Sequence, residues 1–146
     1  MGAGVMAAQA ADYYVSSIQA ARSDSNPGTS PAAPWATLDK VKSAWSSLAA
    51  GDTIHLERGS VWNLTFSADY WTISKGGNAS GPITLRGDDY GAGAKPAVRR
   101  AGGSGTCAFF LIQSSYVTLR DFSLDGGARG TLGLTVGASA SAAIGN

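Results

Sequence analysis

The sequence predicts an all-β solenoid that is preceded by a single α-helix, and three observations lead to this prediction. The 146 residues include 20 glycines, 44% hydrophobic residues and only 14% charged residues, which is typical of one domain with short strands and many tight turns. Apolar residues recur at helical spacing only between Leu38 and Leu48. Beyond Gly51 the spacing changes to two, as in strands that alternate between a core and the surface.

The helix is expected to begin after Thr37 and to end before Gly51. A threonine side chain at this position can accept a hydrogen bond from a free N–H of the first turn, and glycine commonly terminates helices. A short strand, Asp12–Val15, and a loop rich in proline and glycine precede the helix. The predicted apolar face of the helix consists of Leu38, Val41, Trp45 and Leu48.

Three short alternating segments after the helix are predicted to stack as equivalent strands. Their alignment places Ile54, Ile83 and Val117 in register, at spacings of 29 and 34 residues. Segments 122–127 and 132–137 continue the pattern. One coil cannot bury its apolar face alone, so a repeat of this length indicates a solenoid. A β-sandwich is the alternative, although its hairpins need shorter links than most of those found here.

Composition and charge argue against several classes of protein. A formal net charge of +1 gives no field that would attract nucleic acid, and no apolar run approaches the roughly 18 residues of a membrane span. The single cysteine, Cys107, excludes an internal disulfide and a cysteine-rich zinc site. Its apolar neighbours predict a buried side chain rather than a reactive thiol.

Residues 1–10 resemble the end of a signal peptide. Ala8-Gln9-Ala10 matches the small-residue pattern that precedes signal cleavage, although the basic leader is missing and the apolar stretch is short. A disordered alanine-rich tail is the alternative interpretation. The pattern predicts a secreted or extracellular bacterial protein, with the periplasm as a second option.

An ordered series of motifs resembles the N-terminal cap and first coils of pectate-lyase-like right-handed parallel β-helix proteins. The cap motifs are an initial strand at 13–16, an Asn-Pro-Gly loop within 23–29, a Trp-containing helix start at 34–38 and a Gly-Asp-Thr-Ile strand start at 51–54. Segments 80–87, 93–98 and 115–122 resemble the early coils of that group. Segment 16–22 and the Arg99-Arg100 pair depart from the pattern.

The resemblance implies a right-handed parallel β-helix with one N-terminal capping α-helix, divided into three parts. Residues 1–10 would be a signal-peptide remnant, residues 11–50 the cap, and residues 51–146 the first coils. Members of the group run for several hundred residues, so the chain is expected to be truncated. Its last coil is then expected to expose an unpaired edge through which copies could self-associate.

The resemblance also implies a polysaccharide-degrading enzyme, with a lyase favoured over a hydrolase. A lyase must neutralise a uronate carboxylate and place a base near the adjacent proton, whereas a hydrolase needs two carboxyl groups about 5–9.5 Å apart. In the group these residues lie in later coils, so no catalytic residue is assigned here. No cofactor is evident, and Ca²⁺ is an option only for a longer protein. A non-catalytic surface, adhesin or carbohydrate-binding β-helix is the alternative function.

Four residues are candidates for contact with the polysaccharide. Arg86 and Arg120 end equivalent strands and would form an outer basic ladder suited to an acidic glycan. Trp62 and Trp71 flank an insertion and would stack on sugar rings. The alternatives are a solvated ladder and aromatic packing over the cap. With this ladder, four further basic residues could line a groove for the acidic glycan, namely Lys95, Arg99, Arg100 and Arg129.

Other polar residues are interpreted as structural. His55 alternates with apolar neighbours and is expected to be an exposed, outward strand residue rather than a base. Glu57 and Arg58 are expected to pair at a turn. Asp88 and Asp89 are weak Ca²⁺ candidates, because this ion prefers six to eight ligands. Two further aspartates, expected at coil corners, are Asp121 and Asp125.

Overall fold

In the part of the chain that the structure describes, eleven strands form three parallel sheets. A computed structural model describes residues 9–64, 71–100, 107–126, 131–136 and 142–145. In chain order the elements are β1 (Asp12–Val15), α1 (Leu38–Ala44), β2 (Thr53–Leu56), β3 (Val61–Leu64), β4 (Trp71–Ile73), β5 (Ile83–Arg86), β6 (Ala97–Arg100), β7 (Cys107–Ile112), β8 (Val117–Arg120), β9 (Ser123–Asp125), β10 (Thr131–Val136) and β11 (Ala142–Gly145).

The order of the strands is that of a stacked solenoid. The largest sheet is β1-β2-β5-β8-β11, and the other two are β3-β6-β9 and β4-β7-β10. Every pairing between these named strands is parallel. The prediction of an all-β, solenoid-like chain with a short helix is therefore confirmed, and the sandwich alternative is wrong. No helix in the part of the chain that the structure describes is long and apolar enough to cross a membrane.

The core is built from inward side chains that stack in columns along the largest sheet. Ile54 pairs with Leu85, and Leu85 pairs with Leu119, and all three are at most 5% exposed. The predicted register is correct for Ile83 and Val117 but wrong by two residues for Ile54. Because strand side chains alternate with a period of two, this shift leaves the inward and outward faces unchanged.

The N-terminal cap covers the first coil with aromatic side chains. Trp45 lies edge-on to Trp71, with ring centroids 5.3 Å apart, and its indole N–H donates to the carbonyl of Lys75. The indole N–H of Trp62 donates to the carbonyl of Ala36, which links the start of the helix to β3. The apolar face predicted for the helix is buried in the same core cluster as the strands.

The helix begins where the sequence predicts but is shorter than expected. Thr37 is its N-cap, and its hydroxyl accepts a hydrogen bond from the N–H of Lys40. The carboxylate of Asp24 fixes this cap by accepting from the Thr37 hydroxyl at 2.6 Å and from the Thr37 N–H at 3.0 Å. After Ala44 the chain tightens into a 3₁₀ turn at Trp45–Ser47, instead of continuing as α-helix to Leu48.

Some sequence-based expectations lie outside the described residues. These are residues 1–8 of the signal-peptide segment predicted at 1–10, residues 65–69 of the insertion predicted at 63–69, the position of Arg129 and the burial of the Cys107 side chain. They stay predictions.

Leu85→Ala should lower the free energy of unfolding by about 2–5 kcal/mol, because it opens a cavity in the middle of an inward column. Thr84→Ala, one residue earlier on the outward face, should change it by less than about 1 kcal/mol. Urea unfolding of both variants measures the difference. Equal losses would contradict the assigned inward and outward faces of β5.

Candidate functional site

The outward side of the largest sheet carries one column of aromatic, imidazole and guanidinium groups. The register places Tyr14, His55, Arg86 and Arg120 at equivalent positions of β1, β2, β5 and β8. The predicted equivalence of the two arginines is therefore confirmed. The stacking of the coils brings together residues that are up to 106 positions apart in the chain, and this column is the candidate site.

Both arginines of the column bind aspartate side chains. Arg86 donates from Nε and Nη2 to the two oxygens of Asp88, at 2.6 and 2.8 Å. Arg120 donates from Nη2 to Asp88 at 2.7 Å and from Nε to Asp121 at 2.6 Å. Asp88 therefore bridges two successive coils, and the surface is a paired ladder of charges rather than an open basic groove.

These contacts lower the pKa of Asp88, the bridging carboxylate. The hydrogen bonds and charge of Arg86, helped by the charge of Arg120, hold the pKa of Asp88 at about 2, below its ordinary value of 3.8. The same pairing raises the pKa of both guanidinium groups, with Asp88 as the main cause for Arg86 and Asp121 for Arg120. Asp88 therefore stays ionised from neutral pH well into the acidic range.

The backbone around Asp88 is shaped to hold this carboxylate in place. Gly87 lies between β5 and the aspartate, and a Cβ there would come within 2.4 Å of the Pro96 side chain and 2.5 Å of the Asp121 carbonyl. Only glycine fits such a close approach. Asp121 has a φ of 59°, a left-handed conformation that marks a corner immediately after β8, as predicted.

His55 is enclosed between two other carboxylates. Its Nδ1 lies 2.8 Å from Asp89, its Nε2 lies 2.9 Å from Asp12, and its ring stacks on Tyr14 with centroids 5.0 Å apart. His55 faces outward as predicted, but the expectation that it is exposed is wrong, because these groups leave it 8% accessible. With both ring nitrogens engaged and the ring covered, His55 connects the cap strand, the first coil and the loop at 87–96.

A second buried network lies beside this column. The amide of Gln19 donates to Glu57 at 3.2 Å and to the hydroxyl of Tyr90 at 2.6 Å, and that hydroxyl donates to the carbonyl of Pro31. Burial, together with the nearby charge of Glu57, raises the pKa of Tyr90 to about 12. The network therefore attaches the loop at 87–96 to the cap through a neutral phenol.

Glu57 does not form the ion pair expected from its neighbour in sequence. The guanidinium of Arg58 donates instead to the carbonyl of Gly93, at 2.9 Å. Glu57 is 8% exposed, and its Oε2 has no hydrogen-bond partner among the described residues. The side chain lies under Gly91, where a Cβ would come within 2.7 Å of its Cγ, so it is covered by the loop at 87–96.

The two tryptophans proposed as sugar platforms are core residues. Trp62 is 6% exposed and Trp71 is 3% exposed. Trp71 packs against both Trp45 and Phe110, and the indole N–H of Trp62 is used inside the cap. The alternative interpretation, packing over the cap, describes both positions, and neither ring presents a face on which a sugar could stack.

The polar groups of the column bind one another. Asp12 and Asp89 each contact one ring nitrogen of His55. Among the described residues, no group of three or more His, Cys, Asp or Glu side chains is placed to hold a metal ion. Asp88 and Asp89, the weak Ca²⁺ candidates, bind Arg86 and His55 instead.

Comparison with known proteins relates this chain to enzymes that act on carbohydrates. Over 94 residues it is 40% identical to a lacto-N-biosidase from Bifidobacterium longum subsp. longum, a match that covers 64% of this chain and 6% of that enzyme. No protein-family model matches the chain.

Solved structures give the same relationship. The native GH136 lacto-N-biosidase from Eubacterium ramulus superposes with a TM-score of 0.61 and 27% identity, over 84% of this chain and 21% of that chain. A rhamnogalacturonan lyase superposes with a TM-score of 0.60 and 25% identity, over 78% of this chain and 28% of that chain. The chain thus spans less than a third of each of these proteins. The predicted similarity to carbohydrate-active proteins with β-rich folds is confirmed.

Asp88→Asn should destabilise the protein by about 1–2 kcal/mol near neutral pH, and this difference from the wild type should disappear as the pH falls from about 4 to about 2. The folded-state pKa of Asp88 is lowered, so its carboxylate stabilises the fold above the unfolded-state pKa and loses that effect as it becomes protonated. Urea unfolding of both proteins at a series of pH values measures the change. A difference that stays constant down to pH 2 would contradict the assigned role of Asp88.

Proposed function

We propose that this chain forms the N-terminal cap and first coils of an enzyme that cleaves carbohydrate, with glycoside hydrolysis as the favoured reaction. The observation that carries the proposal is the 40% identity to a lacto-N-biosidase, together with the superposition on a second lacto-N-biosidase. The sequence match covers 64% of the chain and the superposition covers 84%, so the similarity extends to both sequence and fold.

The proposed architecture is a right-handed parallel β-helix. Parallel strands of one sheet that are joined by a crossover are right-handed in about 98% of cases, because of the twist of the strands. The chain passes from each of β2, β5 and β8 through one strand in each of the other two sheets before it returns to the largest sheet. This single direction of winding supports one handedness for all coils.

In the proposed enzyme, this chain contributes stability and position rather than the reacting groups. The cap closes the end of the apolar core, and the ladder from Tyr14 to Arg120 joins the coils along their outer face. The carboxylates of that ladder are held by arginines and an imidazole at 2.6–2.9 Å. We therefore place the catalytic carboxyl groups in coils that follow these.

A polysaccharide lyase is the second candidate, and the superposition on a rhamnogalacturonan lyase favours it. The two candidates differ in their products, since a lyase leaves an unsaturated uronate and a hydrolase leaves a reducing sugar without a double bond. Both would act on polymers or oligosaccharides outside the cell, which agrees with the signal-like segment at 1–10. Secretion is part of the proposal.

A chimera tests this role directly. In the Eubacterium ramulus lacto-N-biosidase, the segment that superposes on this chain is replaced by residues 11–145 of this chain. The chimera should fold and should release disaccharide from a lacto-N-bioside substrate at a rate comparable with the parent enzyme, because the exchanged part supplies the cap and not the chemistry. A matching chimera that places the same residues in the rhamnogalacturonan lyase, assayed on a uronate polymer by ultraviolet absorbance of unsaturated product, tests the lyase alternative.

A second chimera carrying Trp45→Ala serves as the control for the cap. It should lose stability by about 3–5 kcal/mol, since a large buried aromatic side chain is removed from the seal over the first coil. A first chimera that folds into a monodisperse, cooperative protein yet has no hydrolytic activity would contradict the proposed equivalence of the two segments.

A further inference from the structure

Asp88 accepts hydrogen bonds from N–H groups with which Arg86 and Arg120 could otherwise bind an acidic sugar. A uronate carboxylate is best recognised by two parallel N–H groups of one guanidinium. On Arg86 those groups, Nε and Nη2, donate to the two oxygens of Asp88. On Arg120, Nη2 also donates to Asp88 and Nε donates to Asp121. An acidic ligand would therefore have to displace carboxylates that are already held in place by the fold.

The charges along this face also oppose the binding of an acidic ligand. The chain of contacts contains four carboxylates, from Asp12, Asp88, Asp89 and Asp121, against two guanidinium groups and one imidazole. These groups together therefore carry more negative than positive charge. A polyanion that approached the column would be repelled at short range, where salt screens least.

We propose that Asp88 is a specificity-determining residue, which closes the arginine ladder against uronate-containing glycans. The inference rests on the proposed function only in taking carbohydrate as the ligand. It reverses the sequence-based expectation of an acidic glycan at Arg86 and Arg120, because that expectation counted the arginines without their partners.

The competition favours Asp88 for a geometric reason. It follows Arg86 by two residues and is held there by the close packing of Gly87 against Pro96 and Asp121. A carboxylate fixed in this way is always present at its arginines, whereas a sugar carboxylate must give up translational freedom to replace it. Closure against acidic glycans is therefore a property of the native fold and needs no conformational change.

Asp88→Asn tests the proposal as a gain of binding. The amide keeps the size of the side chain but removes its charge and one acceptor, which frees N–H groups on both arginines. Binding of trigalacturonate at low ionic strength, measured by calorimetry, should become at least about tenfold tighter than in the wild type, which corresponds to one charge-assisted hydrogen bond. The gain should vanish in concentrated salt.

Two controls separate this mechanism from a change in net charge. Asp39→Asn removes the same charge from the exposed first turn of α1 and should leave trigalacturonate binding unchanged. The triple variant Arg86→Gln, Asp88→Asn, Arg120→Gln should lose the gain completely. Circular dichroism and thermal unfolding confirm that each variant is folded, and Asp88→Ser serves as a second test if the asparagine variant is not.

Two results would overturn the proposal. They are binding of trigalacturonate that is no tighter in a folded Asp88 variant than in the wild type, and a gain that persists without the two arginines. Neither of these results bears on the chimera, whose activity depends on the cap and coils. Failure of the chimera with a clear gain in Asp88→Asn would leave the specificity role standing and remove the proposed enzyme.

Discussion

The stacking of inward side chains from one coil onto the next is the interaction on which this structure depends. A single coil of about 30 residues cannot shield its own apolar face. Ile54, Leu85 and Leu119 are buried only because each lies in register with the others. Once this column is fixed, parallel pairing sets the position of every outward residue on the same strands, including the arginines.

The cap follows from the same constraint, because the first coil has no coil before it. Trp45, Trp62 and Trp71 cover its apolar end. The indole N–H groups of Trp45 and Trp62 donate to backbone carbonyls, and Trp71 packs edge-on to Trp45. The hydrogen bond between Asp24 and Thr37 fixes the start of the helix that is followed by Trp45. Large aromatic side chains that resemble sugar platforms in the sequence are thus required by the packing of a solenoid end.

The charged ladder is also a consequence of stacking. Strands in register lie about 4.8 Å apart, so Arg86 and Arg120 would repel each other if they stood alone at equivalent positions. Asp88 lies between them and Asp121 follows the second, which converts a repulsive column into one that holds the coils together. The proposed exclusion of acidic glycans from this face is then a consequence of the same pairing that stabilises the solenoid.

The sequence by itself determined the class of fold, the position of the helix cap at Thr37, the inward and outward faces of the strands and the equivalence of Arg86 with Arg120, because these features depend on local spacing and on a repeat. Only the tertiary structure decided that Ile54 pairs with a residue two positions from the expected one, that His55 is enclosed, and which groups contact Glu57. A shift of two residues preserves every sequence pattern, and the groups that cover His55 and Glu57 come from segments more than 30 positions away. Contacts of that kind exist only once the coils have stacked.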